Sequence, residues 1–364
     1  MQRAWILGFL VAGCTSDPAD SDAVDPNPPD AVGPYAVGTL VTEVSGPDGL
    51  TLPLQVWFPA SETEGSPYAY MGLLEGTAYE TATPSCETTH PVVVFSHGNQ
   101  AFRYVAFSIM ERLASHGFVV IAPDHLRNTL FDWEEDYWHG IILRRPLDVS
   151  ASFDGFLEIA AAGPLNGCVD PEAGYLMMGG SMGGNTAFAI AGAPFDIEAL
   201  LADCEEQTTE GCDEVRAWAE AHPGEVTLDE SDPRATSVLA ITPAWPWVFG
   251  DDGLSTIQAP SLVLGGSIDT RTPWDTMVYP SYQALTAPKW LIGVEGAGHY
   301  SFCDFCPVLG PSDNGCGEDA RPVEEVLVIA RTVAVAWARL QTGDVDMEPW
   351  LSPDDGISAV ESAP

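Results

Sequence analysis

Three residue types that can together make an alcohol reactive stand far apart in this chain. Gly179-Gly180-Ser181-Met182-Gly183 has the pattern G-x-S-x-G, directly after an apolar run (YLMM) and directly before a small-residue helical pattern. A sharp strand-to-helix turn would force the serine into a strained backbone shape. Glycines would flank it because side chains there would collide with neighbouring backbone. The Ser181 hydroxyl would then stand at a helix N-terminus, where N–H groups and the helix dipole favour negative charge.

A serine hydroxyl is a poor nucleophile near neutral pH and needs a base. Only His222 and His299 follow Ser181. His222 precedes Pro223 in an acidic stretch and reads as solvent-facing. His299 ends the loop Gly296-Ala297-Gly298-His299, just after the apolar run 290–294. His299 is therefore the expected base. The imidazolium that forms needs a carboxylate to hold its tautomer and balance its charge. Asp269 follows the run 261–264 in Gly265-Gly266-Ser267-Ile268-Asp269-Thr270. Asp251, Asp252 and Asp275 are rivals for that place. A tetrahedral intermediate also needs two donors for its oxyanion. The expected pair are the N–H groups of Met182 and of Asn99, which follows His97-Gly98 after the run 91–96 (PVVVFS). His97 itself reads as a loop-shaping residue. Trp138, Trp245, Trp247 and Trp274 lie just after predicted strand ends and are candidates for an apolar acyl cleft, with Trp133, Tyr137 and Phe249 beside them.

The elements that must carry these groups alternate short apolar runs with helical patterns, as in a mainly parallel α/β sheet. Residues 39–44 and 51–58 read as an opening antiparallel pair joined at Gly46-Pro47-Asp48-Gly49. Strands are predicted over 91–96, 118–122, 175–178, 238–242, 261–264 and 290–294. Helices are predicted over 102–115, 145–161 with Pro146 in the first turn, 182–191 and 323–340. Residues 196–232 interrupt the rhythm with 13 acidic residues and a single arginine, Arg216. They read as a helical insertion after the nucleophile helix, a solvated cover or a substrate lid. The acidic tail 342–364 reads as loose.

At the other end, Arg3, a short apolar run and Val11-Ala12-Gly13-Cys14 resemble a bacterial lipoprotein signal, residues 1–14, with Cys14 as the lipidated residue. Thr15 and Ser16 follow it, and that family rule favours the outer membrane or cell surface over inner-membrane retention. Residues 15–34 hold five Asp and five Pro and read as a disordered tether to the domain 35–341. Export permits disulfides. Cys204 with Cys212 is the best pair, Cys86 with Cys168 is plausible, and Cys303, Cys306 and Cys316 should make one bridge and leave one thiol. The Cys303-Asp-Phe-Cys306 spacing alone is weak support for a metal, and loop stapling is the simpler reading.

Composition excludes some partners. The 364 residues carry 53 Asp or Glu against 13 Lys or Arg, a net charge of −40, and Lys289 is the only lysine. Phosphate contacts need clustered cations, so no nucleic-acid partner is expected. Docking to an anionic lipid surface is disfavoured for the same reason, which leaves the N-terminal lipid as the expected membrane attachment. The acidity also suits a salty environment and disfavours anionic substrates. A monomer is expected.

The segments Phe95-Ser96-His97-Gly98-Asn99-Gln100-Ala101-Phe102-Arg103 and Leu113-Ala114-Ser115-His116-Gly117-Phe118 resemble plasma-type platelet-activating-factor acetylhydrolases. GGSIDTRTP (265–273), Tyr282 and the GAGH loop are more similar to dienelactone-hydrolase and cutinase-like bacterial esterases. The order Ser181…Asp269…His299 is that of α/β-hydrolases. The chain departs from the acetylhydrolases in carrying its acid one strand later and in Gln100, where they have glycine. The resemblance implies an α/β-hydrolase fold, with a mostly parallel sheet flanked by helices. It implies hydrolysis of a small-molecule or lipid carboxylic ester through an acyl-enzyme, with no cofactor and no metal. A polyesterase, a peptidase or amidase with the same triad, and a non-catalytic surface binding lipoprotein are the alternatives.

Overall fold

The computed structural model describes residues 25–363 apart from 206, 287, 311–313 and 353–355. The signal-like stretch 1–14, with Cys14, lies outside the described residues. The fold is an α/β-hydrolase fold built on one eleven-stranded sheet. Its strands are β1 (Ala36–Ser45), β2 (Thr51–Glu64), β3 (Val92–Ser96), β4 (Val119–Pro123), β5 (Tyr175–Gly180), β6 (Ala235–Ile241), β7 (Ser261–Gly266), β8 (Lys289–Val294) and β9 (Ile357–Ala363), with short additions at Ala78–Tyr79 and Thr81–Pro84. The spatial order is β9-β8-β7-β6-β5-β3-β4-β2-β1. Strands β3 to β8 run parallel, while β1 pairs antiparallel with β2, β2 with β4 and β9 with β8.

The continuous apolar runs become central strands because both sheet faces are covered. Their side chains still alternate. Val93, Phe95, Leu176 and Met178 enter one core, and Val92, Val94, Tyr175 and Met177 enter the other. The first core is closed by helix α1 (Phe107–Ser115) and the closing helix Val323–Gln341, which contributes Val326, Val333 and Trp337. The second is closed by α2 (Trp138–Ala162) and α3 (Met182–Ile190) through Val149, Phe153, Phe156 and Phe188.

Four expectations are corrected. Pro146 lies inside α2, not in its first turn, because buried Ile141, Ile142, Arg144 and Arg145 hold the preceding turns against the body. Residues 102–106 form turns before α1. The tether is not free in its described part: the Arg112 guanidinium donates to the carbonyls of Asp30 and Ala31, each at 2.8 Å, and Arg339 binds Asp25 at 2.9 Å. The tail is not loose either. Met347 and Leu351 are buried, and β9 pairs with β8, whose outer edge would otherwise expose an unmatched ladder. The stretch 196–232 contains helices Ile197–Asp203 and Glu210–Ala221, bracketed by a two-stranded pair joining Phe195–Asp196 to Thr227–Leu228.

Candidate active site

Ser181 follows β5 directly, with φ +56° and ψ −119°, a shape L-residues avoid unless their surroundings impose it. The neighbouring backbone explains the glycines: a Cβ on Gly179 would collide with the Gly183 carbonyl, and one on Gly183 with the Ser96 carbonyl. The Ser181 N–H donates to the Ile241 carbonyl at 2.8 Å, so β6 anchors the turn.

The three dispersed residues meet. The Ser181 hydroxyl lies 3.1 Å from His299 Nε2, and His299 Nδ1 lies 2.8 Å from Asp269 Oδ2. Asp269 is only 5% exposed. Its Oδ1 accepts the N–H groups of Arg271 (2.7 Å) and Thr272 (2.9 Å), and its Oδ2 accepts the Thr272 hydroxyl at 2.6 Å. Burial pushes the Asp269 carboxyl up, but the bond from His299 and those from Thr272 outweigh it and hold the group below the usual carboxylate range. The rivals stand elsewhere. Asp251, Asp252 and Asp275 are exposed, and His222 donates to or accepts nothing at the site, its Nδ1 bonding the Trp218 carbonyl at 2.8 Å.

Asn314 was not anticipated. Its Oδ1 accepts the N–H (2.9 Å) and hydroxyl (2.7 Å) of Thr270, and its carbonyl accepts the Tyr300 N–H at 2.8 Å. It thereby ties the acid loop to the base loop. The bridge Cys306–Cys316 holds that segment, and Cys86–Cys168 and Cys204–Cys212 form as expected. Cys303 is the free thiol, and burial pushes it up to about 12, which leaves it protonated and inert.

Around Ser181 opens a cleft of about 670 Å³. Gly98 and Asn99 form part of its wall, and a Cβ on Gly98 would stand 3.2 Å from that of Ser181. Among the described residues, neither the Asn99 nor the Met182 N–H donates to another backbone group, whereas the Gln100 N–H is spent on the Asn128 carbonyl at 3.1 Å. Of the four tryptophans, Trp245 lines the cleft. Trp138 stands behind it, ring centroids 5.3 Å apart, with Trp247 edge-on to Trp138 at 6.4 Å. Trp274 is a correction: it packs on Tyr279 and against Gly293 of β8, on the sheet's flank. The apolar lining comes instead from Phe102, Val105, Phe302, Phe305 and Leu309. A hint is present, since Phe302 and Phe305 directly precede Cys303 and Cys306, just after His299. Among the described residues, none of the cleft lining comes from 196–232.

The fold is that of an α/β hydrolase, and the chain is similar to cutinase-like esterases. The family model described as "Chlorophyllase" matches residues 78–201. "Cutinase 2" of Thermobifida cellulosilytica is 24% identical over 271 residues, 74% of this chain and 78% of that protein. "Cutinase cut1" of Thermobifida fusca is also 24% identical, and the match spans 74% of this chain but 64% of that longer protein. "Cutinase est2" of Thermobifida alba is 25% identical, with 74% and 68% covered.

Proposed function

We propose that this protein hydrolyses carboxylic esters by a serine mechanism. The observation that carries the reading is the unbroken hydrogen-bond chain Ser181–His299–Asp269 at an apolar cleft. The Ser181 oxygen attacks the ester carbonyl while its proton passes to His299 Nε2. Asp269 keeps the other ring nitrogen protonated and balances the imidazolium. The N–H groups of Asn99 and Met182 hold the oxyanion. When the intermediate collapses, the C–O bond to the alcohol breaks and the alcohol takes the proton from His299, leaving an acyl-Ser181 ester. Water then adds by the same route, giving its proton to His299, and the acid leaves as Ser181 regains that proton.

The aromatic lining of the cleft favours an apolar acyl or aromatic ester. The cutinase names of the relatives make a polyester film the second substrate to test. Export is supported by three disulfides, which form and persist chiefly in oxidising compartments. Anchoring through a lipid on Cys14 belongs to the same proposal, as does a monomeric state.

The test is labelling with a fluorophosphonate, which modifies activated serines, beside hydrolysis of nitrophenyl esters of graded chain length, a polyester film and a peptide amide. Wild type is expected to label and to cleave esters, and Ser181→Ala to do neither. An unlabelled wild type, or cleavage of amides alone, would overturn the reading.

A further inference from the structure

Directly behind the oxyanion loop lies a second Ser–His–Asp set. Ser96 Oγ, at the end of β3, is 2.9 Å from His125 Nε2, and His125 Nδ1 is 2.9 Å from Asp148 Oδ2 on α2. All three residues are 0% exposed, so no substrate can reach them. Arg145, one turn earlier on α2, is equally buried and lies against the same groups.

This network grips the loop residue by residue. The His125 N–H donates to His97 Nε2 at 3.0 Å, and His97 Nδ1 donates to the Gly98 carbonyl at 2.7 Å. The Arg145 guanidinium donates to the His97 carbonyl and, through Nη1, to Asn128 Oδ1 at 3.2 Å. Asn128 passes the constraint on: its Nδ2 donates to Asn99 Oδ1 at 2.6 Å, and its carbonyl accepts the Gln100 N–H. Gln100 has φ +57°, a strained shape that persists only where the surroundings over-determine it. Burial, with Arg145 beside them, holds both imidazoles well below their ordinary value, so each stays neutral with one donor and one acceptor nitrogen, as its bonds require.

We propose that this buried network, acting through Arg145 and Asn128, is the positioning device for the oxyanion loop, and that it sets where the Asn99 N–H points when the tetrahedral intermediate forms. The inference rests on the serine-hydrolase reading. The bonds are too many for loop closure alone. Arg145 Nη1 and Nη2, Ser96, both imidazoles and Asp148 Oδ2 are hydrogen-bonded, while Arg145 Nε and Asp148 Oδ1 are not, and the bonds they share couple these buried groups into one unit. Stiffness is what an oxyanion donor needs, because a donor misplaced by about 1 Å forfeits roughly a hundredfold in rate. Neither Asn128 nor Arg145 touches the reacting atoms; both are positioning residues.

The experiment measures kcat and KM on a nitrophenyl ester for wild type, Asn128→Ala, Arg145→Lys and Arg145→Gln. It also measures inhibition by a trifluoromethyl ketone, which becomes an oxyanion adduct on the serine, and by the matching methyl ketone, which does not. Asn128→Ala should lower kcat roughly ten- to a hundredfold with KM changed less than about threefold. It should weaken the trifluoromethyl ketone by the same factor and leave the methyl ketone as it was. Arg145→Lys should recover part of what Arg145→Gln loses. Asn128→Ala removes no charge and so tests the idea even where the Arg145 variants fail to fold. A folded Asn128→Ala with wild-type kcat, or a loss confined to KM with both ketones equally affected, would overturn the inference alone. A wild type that fluorophosphonate does not label would remove the serine-hydrolase reading and this inference with it.

Discussion

Asp269 accepts four hydrogen bonds, two at each oxygen, from His299, Thr272 and the Arg271 and Thr272 N–H groups. Its pKa is therefore held below the ordinary value of 3.8 despite burial. A carboxyl whose folded pKa is depressed contributes stability above its unfolded value and loses it as pH falls through the folded one. Asp269→Asn should accordingly melt below wild type at pH 7, with the gap closing as pH is taken under 3.8 in a thermal-melt series. On esters at neutral pH the same variant should lose about 10⁴ in kcat, because the His299 tautomer is no longer enforced. At this scale the three residues of the proposed triad are readable, because each is tied to a local pattern that survives in one dimension: a glycine-flanked serine, and an acid and a histidine just past strand ends. Trp274 turns to the sheet's flank because position after a strand does not fix which way a ring turns. Phe302 and Phe305 carry no periodicity that would mark them as cleft residues.

Elements bring the pieces into register. Parallel strands end together at one edge, and the loops after β3, β5, β7 and β8 converge there. The Asn314 contacts then lock the loops after β7 and β8 to each other. Helix α2 does more than cover the sheet, since it delivers Arg145 and Asp148 to the rear of the β3 loop. The last element is the edge strand. β9 pairs with β8 from Lys289↔Ala363 to Val294↔Ile357 and covers a ladder that would otherwise be open to other chains. Ending the chain after Gly356 should lower the melting temperature and produce concentration-dependent association in light scattering. An unchanged melt and a monodisperse truncated protein would count against a structural role for β9. That strand is hard to see in ISAVESA (357–363), where four small or polar residues and a glutamate give no continuous apolar run. Its pairing depends on the vacant edge of β8, a property of the folded sheet and not of the segment.

The whole molecule carries a net charge of −40, and several of its described arginines act as clamps. Arg127 joins Glu134 to Glu210, Arg234 joins Asp154 to Asp232, and Arg339 joins Asp25 to Asp344. Each brings segments distant in sequence together, yet the remaining acids repel one another across the surface. The Debye length shrinks from about 30 Å at 0.01 M salt to about 3 Å at 1 M, so salt should screen that repulsion. The melting temperature should rise over this range by about 2–4 °C for each kcal/mol of repulsion removed. A flat or falling curve in sodium chloride would show that the clamps already balance the field.

The alternation of apolar runs and helical stretches, the serine elbow, the order of acid and base, and the Cys204–Cys212 pair all follow from local chemistry that a linear reading captures. Backbone strain, glycine clearance and period-two burial are short-range demands, written within a few residues. The cleft wall, the Asn314 tie, the clamped N-terminal segment, the C-terminal edge strand and the buried Ser96–His125–Asp148 network are of another kind. Each joins residues separated by tens to hundreds of positions, because apolar side chains, polar groups and an open strand edge find their partners only in the folded chain.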